Sequence, residues 1–444
     1  MAASVFDSLI YSRLFPTGET ARLFSDTAEV RAMLLVEGAL AKVQGAQGII
    51  PEISAQAIHR ATMELQIDPA ALSAPTGENG VSVPGLLAAF RSAMNAPEHA
   101  QYLHWGATSQ DIIDTGLMLR LRQALGQFDT HLREVLAGLG HLAGTHADVP
   151  MAARTYGQHA TPTSFGAVVA SWGWPLLDLL GELDSLRDSS LWVSLAGAAG
   201  TSSALGPKPE ETRAELAAAL GLHDPGRSWH TDRGPLLRIA TWMSRICIAL
   251  SKLGEDLTAL TQTGIGEIQL GAAGASSTMP QKQNPVAPAA LIALASQVQA
   301  QLGVLQAAAS HRYQRDGAAW FAEWTALPQI VLGTAAALNI AHSLVPTIAP
   351  DADAMATALA ANLDMIHAEA LSFALATKLP RPDAQAATKA LCREAQESQT
   401  PLAILVARDH PDLDAKTLFD PAQQMGLASP EARRFAAAAT SIKS

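Results

Sequence analysis

Within Gly274-Ala275-Ser276-Ser277-Thr278-Met279-Pro280-Gln281-Lys282-Gln283-Asn284-Pro285, a pair of serines, a lysine six residues after the first and an asparagine two further on share one small-residue segment. That set suits carbon-acid chemistry. A serine hydroxyl is too weak an acid or base alone, so an alkoxide at Ser276 needs a nearby cation, Lys282, and oriented donors such as Asn284. Gly264, Gly266, Gly271 and Gly274 flank the string and give its backbone angles that other residues avoid. A surface turn would share the Gly and Ser content, but not the ordered S-S-x-M-P-x-K-x-N-P string.

Three more stretches carry groups suited to a small anion. In His104-Trp105-Gly106-Ala107-Thr108-Ser109-Gln110-Asp111, adjacent hydroxyls beside a glycine can contact a carboxylate. Thr108-Ser109 would equally cap a helix opening at Ile112-Ile113-Asp114-Thr115. Arg154-Thr155-Tyr156-Gly157-Gln158-His159-Ala160-Thr161-Pro162 offers Arg154, Gln158 and His159, the last as an acid–base group or a hydrogen-bonded structural one. In His311-Arg312-Tyr313-Gln314-Arg315-Asp316, the planar fork of Arg315 can grip a carboxylate; an ion pair with Asp316 or Glu323 is the competing use. Gly138-Leu139-Gly140-His141-Leu142-Ala143 follows no strand pattern, His141 and His146 share a helix face poorly, and no H-E-x-x-H, P-loop or G-x-S-x-G string occurs. Neither a metal nor an organic cofactor is expected.

The elements that must position these groups are helical. After the start signal Ser25-Asp26-Thr27, Met33, Val36, Leu40 and Val43 recur at three- and four-residue steps. Leu291, Leu294, Val298 and Leu305 form one stripe, with Ile292, Ala295 and Leu302 beside it, as on a helix contacting neighbours on two sides. Alternating strands are scarce, so the fold class is all-α. Turn-rich residues from Ala74 to Pro84 and the motif from Tyr102 to Thr115 close a first unit, and Val345-Pro346 and Pro350-Asp351 open a last one. The expected organisation is three helical domains, 1–112, 113–350 and 351–444, the middle one a long-helix bundle.

Composition narrows the partners. Only 16% of the 444 residues are charged and 48% are apolar, so much surface must be hidden, and oligomerisation hides it. A net charge of −11 gives no nucleic-acid footprint, yet local Arg and Lys still allow a small anionic substrate. Gln283 to Ser310 and Trp324 to Pro350 lack charge and are long enough to span a membrane. The first carries Gln297, Gln299, Gln301 and Gln306 and the second is broken by Pro328 and Pro346, so both read as buried bundle helices and no membrane is expected. Cys247 and Cys392 read as reduced core thiols, and Met1 to Arg13 lacks a secretory pattern, which points to the cytoplasm.

The 274–285 string resembles the signature loop of the fumarase/aspartase superfamily, and the motifs beginning at His104, Arg154 and His311 resemble its other site segments. The resemblance covers essentially the whole chain. It implies that Ser276, Lys282, His104 and His159 are catalytic, and that Thr108, Ser109, Arg154, Gln158, Ser277, Met279, Asn284 and Arg315 bind substrate. It also implies a homotetramer whose central helices form one bundle and whose active sites are shared between subunits, acting on a small polycarboxylate. Tyr156 stands where the family usually has a histidine, Ala275 replaces a glycine, Gln283 a basic residue and Gln314 a glutamate. Amine-expelling members need an acid to protonate nitrogen, so the change at Tyr156 argues against them. A carboxylate leaves unprotonated, since its conjugate acid has a pKa of roughly 4. The strings His104 to Asp111, Trp320 to Trp324 and Phe419 to Gly426 look most like the muconate cycloisomerase branch, where a carboxylate adds to an alkene in the same molecule.

Overall fold

In the computed structural model, residues 4–271, 274–275, 279 and 282–442 are described. Helices dominate, as the periodicities require. Helix α1 (Asp26–Ala46) starts where Ser25 Oγ accepts from the Ala28 amide, and buries Met33, Val36, Leu40 and Val43 as one stripe. It lies close against α2 (Glu52–Glu64): a Cβ on Gly38 would come within 2.2 Å of Thr62 Oγ1, and one on Gly45 within 2.3 Å of Ala55 Cβ. After α3 (Val83–Met94) comes α4 (Ser109–Thr145), whose apolar side is continuous through Ile112, Met118, Leu121, Leu125, Phe128, Leu132 and Leu139. Gly138 to Ala143 falls inside this helix.

The sequence did not announce β1 (Pro150–Thr155) and β2 (Gln158–Ser164), an antiparallel hairpin leading into α5 (Phe165–Gly181). Helix α6 (Gly234–Leu260) follows, then β3 (Ile268–Leu270), β4 (Gly274–Ala275) and β5 (Gln283–Asn284). Two long apolar helices come next, α7 (Val286–Ala308) and α8 (Gly317–Leu344), and then β6 (Ile348–Pro350), which pairs with β3. Among the smaller helices that complete the chain, α9 (Arg381–Ser398) anchors an apolar cluster through Leu391 and Ala395.

Two compact units result. Unit 1 takes Met1–His131, Leu179–Ile248 and Ala293–Asn339; unit 2 takes Leu132–Asp178, Ala249–Ile292 and Ile340–Ser444. The C-terminal stretch 351–444 stays within unit 2, whereas 113–350 is distributed over both, because α4, α6, α7 and α8 each contribute to both.

Two expectations about the apolar helices change. Pro328 does not break α8, which continues through it to Leu344, since a helix this long tolerates one missing donor; Pro346 lies beyond its end. Both helices are long and apolar enough to cross a membrane, but they differ in burial: 72% of the window in Gly317–Thr347 and 39% of that in Val286–Ala308. Helix α7 buries the stripe of Leu291, Leu294, Ala295, Val298 and Leu305, together with Pro288, Ala290 and Ala308, and exposes Ala289, Ala293, Ser296, Gln299, Ala300, Gly303 and Val304. That exposed face carries no charge. Cys247 and Cys392 are free thiols, and burial pushes Cys247 up to about 12 against the opposing hydrogen bond from Thr334, so it stays protonated and unreactive.

Candidate active site

In unit 1 the motif at the start of α4 is organised by Asp111, a fully buried carboxylate. It accepts from the amides of Thr108 (3.0 Å), Ala196 (2.9 Å) and Gly197 (2.9 Å) and from the Ser194 hydroxyl (3.1 Å), and pairs with His230 Nε2 at 2.8 Å. Residues from three distant stretches are thereby fixed around the helix start. Both readings of Thr108-Ser109 have a basis here: Ser109 opens α4, and Thr108 Oγ1 points to Arg315.

Arg315 is half-buried, and its contacts decide its role. Nε donates to Gln110 Oε1 at 2.9 Å, and Nη2 donates to Thr108 Oγ1 at 3.2 Å and to the Ala198 carbonyl at 3.3 Å. All three acceptors are neutral, and no carboxylate pairs with it among the described residues. The competing ion pair with Asp316 or Glu323 is not made, because each acid is taken by another arginine. Asp316 is 2.6 Å from Arg312 Nε, which with backbone donors holds its carboxyl well below the usual range. Glu323 is held by Arg233, at 2.8 and 2.7 Å. Arg233 also grips Asp114 bidentately at 2.7 and 3.0 Å and lies 5.0 Å over the Trp229 ring. Two buried acids share that one guanidinium; burial and the charge of Asp114 push Glu323 up despite Arg233. Gln110 joins this network to Arg315: its Nε2 donates to Asp114 Oδ2 (3.2 Å) and to the His230 carbonyl (2.9 Å), which aims its oxygen at Arg315.

His104 has a positive φ of 66°, and Gly106 one of 72°. A Cβ at Gly106 would lie 2.3 Å from the Ala204 carbonyl oxygen, so the turn there admits only glycine. The turn brings His104 Nδ1 within 2.6 Å of Glu37 Oε1, on α1. Glu37 is buried, and its other oxygen has no partner among the described residues. Burial disfavours the imidazolium, but the charge and hydrogen bond of Glu37, with the charge of Asp111, outweigh burial and the repulsion of Arg91, so His104 titrates above its ordinary value.

Unit 2 holds the other predicted residues. The β1–β2 hairpin turns on Tyr156 and Gly157, with φ of 54° and 73°, the pattern of a two-residue type I′ turn. Tyr156 is fully exposed at this tip, and Gln158 and His159 are exposed beside it, without hydrogen bonds to other predicted site residues among the described residues. Arg154 faces the opposite way in energetic terms: Nη1 and Nη2 donate to the two oxygens of buried Glu267 at 2.7 and 2.8 Å. The guanidinium expected to hold a substrate carboxylate is here half of an ion pair joining the hairpin to the residue preceding β3. Beyond β3, Gly274 pairs with Asn284 and Ala275 with Gln283, closing the base of the signature segment. A Cβ on Gly274 would meet Val286 Cγ2 at 2.6 Å, so this glycine answers to packing rather than to flexibility. Asn284 is half-buried, Met279 and Lys282 are exposed, and the Lys282 amide donates to the Met279 carbonyl at 3.0 Å. Ser276 and Ser277 lie outside the described residues.

The sequence reading missed Glu37, Gln110, Asp111, His230, Arg233 and Glu267 as members of the site's support. Only Glu37 left a usable sign: an acid on the apolar face of α1, four residues after Met33 and three before Leu40.

Residues 18–300 match a family model described as lyase. The 3-carboxy-cis,cis-muconate cycloisomerase of Pseudomonas aeruginosa is 35% identical over 430 residues, 94% of each chain. The nitrosuccinate lyase of Streptomyces davaonensis is 32% identical, covering 96% of this chain and 94% of that one. The crystal structure of 3-carboxy-cis,cis-muconate lactonizing enzyme from Pseudomonas putida is similar with a TM-score of 0.90 and 32% identity, over 98% of this chain and 99% of that one.

Proposed function

The chain belongs to the lyase family within the fumarase/aspartase superfamily, and from that membership we propose that it is a 3-carboxy-cis,cis-muconate cycloisomerase, closing a lactone inside a muconate tricarboxylate. The observation that carries this reading is the near full-length similarity to cycloisomerases at 31–35% identity. The geometry adds an arginine, Arg315, aimed by neutral groups and with no carboxylate partner among the described residues.

One carboxylate oxygen of the substrate adds to an alkene carbon, and the displaced π electrons move to the neighbouring carbon, which lies next to another carboxylate. Lys282 and Asn284 stabilise that enediolate-like charge, and Ser276 delivers a proton to the carbon. The hydroxyl regains a proton from solvent, so the net change is an isomerisation. Arg315 with Thr108 and Ser109 grips one carboxylate, and the His104 imidazolium meets another. Arg154, already answered by Glu267, positions the hairpin carrying Gln158 and His159. Ser277 and Met279 flank the substrate within the signature segment.

The reaction belongs to the protocatechuate branch of aromatic degradation, in the cytoplasm. The assembly is a homotetramer in which the segments around 104–111, 154–162 and 274–285 come from three subunits at each site; the uncharged exposed face of α7 supports it. A second reading, elimination from a substituted succinate, is favoured by the likeness to nitrosuccinate lyase, since nitrite also leaves without a proton.

The test is ultraviolet loss of the conjugated diene of 3-carboxy-cis,cis-muconate, with Ser276→Ala in parallel. Rapid loss in the wild type that vanishes in an intact Ser276→Ala tetramer supports the assignment. No loss, alongside turnover of nitrosuccinate, moves it to the second reading; no turnover of either by an intact tetramer leaves a non-catalytic helical scaffold.

A further inference from the structure

Unit 1 contains a cavity of about 240 Å³ that none of the candidate catalytic or binding residues lines. Its walls include the Phe24 and Trp324 rings and the side chains of Leu117 and Leu327, and its polar end is Arg120 with Glu29. Arg120 projects from α4 and is only 7% exposed. Its Nη2 lies 3.4 Å from the half-exposed Glu29 carboxylate, and its Cζ stands 5.4 Å over the Phe24 ring. Its Nε is buried and has no hydrogen-bond partner among the described residues.

We propose that this cavity is a binding site for a single-ring neutral phenol, its ring against Phe24 and Trp324 and its hydroxyl between Arg120 and Glu29. Each part of that choice follows from the lining. Glu29 already balances the guanidinium, so a second carboxylate would meet like-charge repulsion beside it while losing its own hydration. A hydroxyl oxygen can accept from the Arg120 guanidinium while its proton is offered to Glu29, so both charged groups are answered without adding charge. Two aromatic rings and two leucines in the lining favour a flat ring over an aliphatic alcohol. The cavity also borders Glu323, so it shares a wall with the network that ends at Arg315 through Arg233, Asp114 and Gln110.

Calorimetric titration of the full-length protein with p-cresol tests the site, with toluene and benzoate as comparison probes. Saturable binding of one p-cresol per chain at about millimolar concentration is expected. Arg120→Met should weaken it about tenfold, as loss of a hydrogen bond to a charged group implies. Thr76→Phe, on a partly exposed short helix at the cavity, should abolish binding by filling the space without touching the core. Ser276→Ala should bind as the wild type does, which separates this site from the catalytic one whatever the reaction proves to be. Absence of p-cresol binding, binding unchanged in both cavity variants, or equal affinity for toluene would overturn the proposal, as would tighter binding of benzoate.

Discussion

Arg315 and Arg233 lie in one hydrogen-bonded network, and replacing each by methionine should fail in opposite ways. Arg315 donates only to Gln110, Thr108 and Ala198, all neutral. Removing it strands the Gln110 oxygen at most, a folding cost of about 1–3 kcal/mol. On the proposed role its effect on turnover is larger, because a fully gripped substrate carboxylate would lose its partner. Truncating one side of a desolvated, hydrogen-bonded charge pair costs about 2–5 kcal/mol, roughly 30- to 5,000-fold in kcat/KM. If the contact is made equally to ground and transition states, the loss sits mainly in KM. Arg315→Lys should recover little, since an ammonium cannot reproduce the fork. Arg233→Met instead leaves Asp114 and Glu323 buried without their cation. Breaking such a pair costs about 3–5 kcal/mol, a large part of the stability of a typical domain, so little folded protein should remain. Steady-state kinetics with 3-carboxy-cis,cis-muconate and urea unfolding of both variants measure the contrast. A kcat/KM for Arg315→Met within about threefold of wild type, or an Arg233→Met protein of normal stability, would refute the division of labour between the two arginines.

The His104–Glu37 pair makes a pH prediction. His104 titrates above its ordinary value when folded, so its pairing stabilises the protein fully below the unfolded pKa of about 6.5 and ceases to do so as pH rises through the folded value. Glu37→Gln should lower the His104 pKa in an NMR titration and flatten that slope; an unmoved imidazole resonance would count against the pairing. Gly106→Ala should destabilise by about 1–3 kcal/mol from the backbone angle alone, with the clash against Ala204 in addition, and a melting temperature equal to wild type would contradict the geometry. Ala293→Glu places a charge on the uncharged exposed face of α7; sedimentation should then show dissociation of the proposed tetramer, and a tetramer that stays intact would point to another interface.

Much of the fold was legible because apolar spacing in long helices is a local property. Met33, Val36, Leu40 and Val43 face inward as their spacing requires, and Leu291, Leu294, Val298 and Leu305 do the same. The hairpin was not, since β1 and β2 are rich in Ala, Thr and Pro with no clear alternation, and their turn is Tyr156-Gly157 rather than the familiar Asn-Gly. Within the candidate site, motif strings located the segments but not their pairings. His104 meets Glu37 across 67 positions, Arg154 meets Glu267 across 113 and Arg315 meets Gln110 across 205, distances at which a single sequence carries no signal of contact. The competing use assigned to Arg315 failed for the same reason: the nearest acid in sequence, Asp316, had a closer suitor in Arg312.

The carboxylate of Asp111 has a consequence for how this protein can change. Amides from residues 108, 196 and 197, the Ser194 hydroxyl and the His230 ring all converge on its two oxygens. Asparagine would turn an NH2 group toward donors, and glutamate would push them apart by a methylene. No single substitution leads away from that arrangement without passing through a damaged protein. The segments it gathers can therefore drift only together, and variation in what the enzyme accepts has to be written at positions outside that knot.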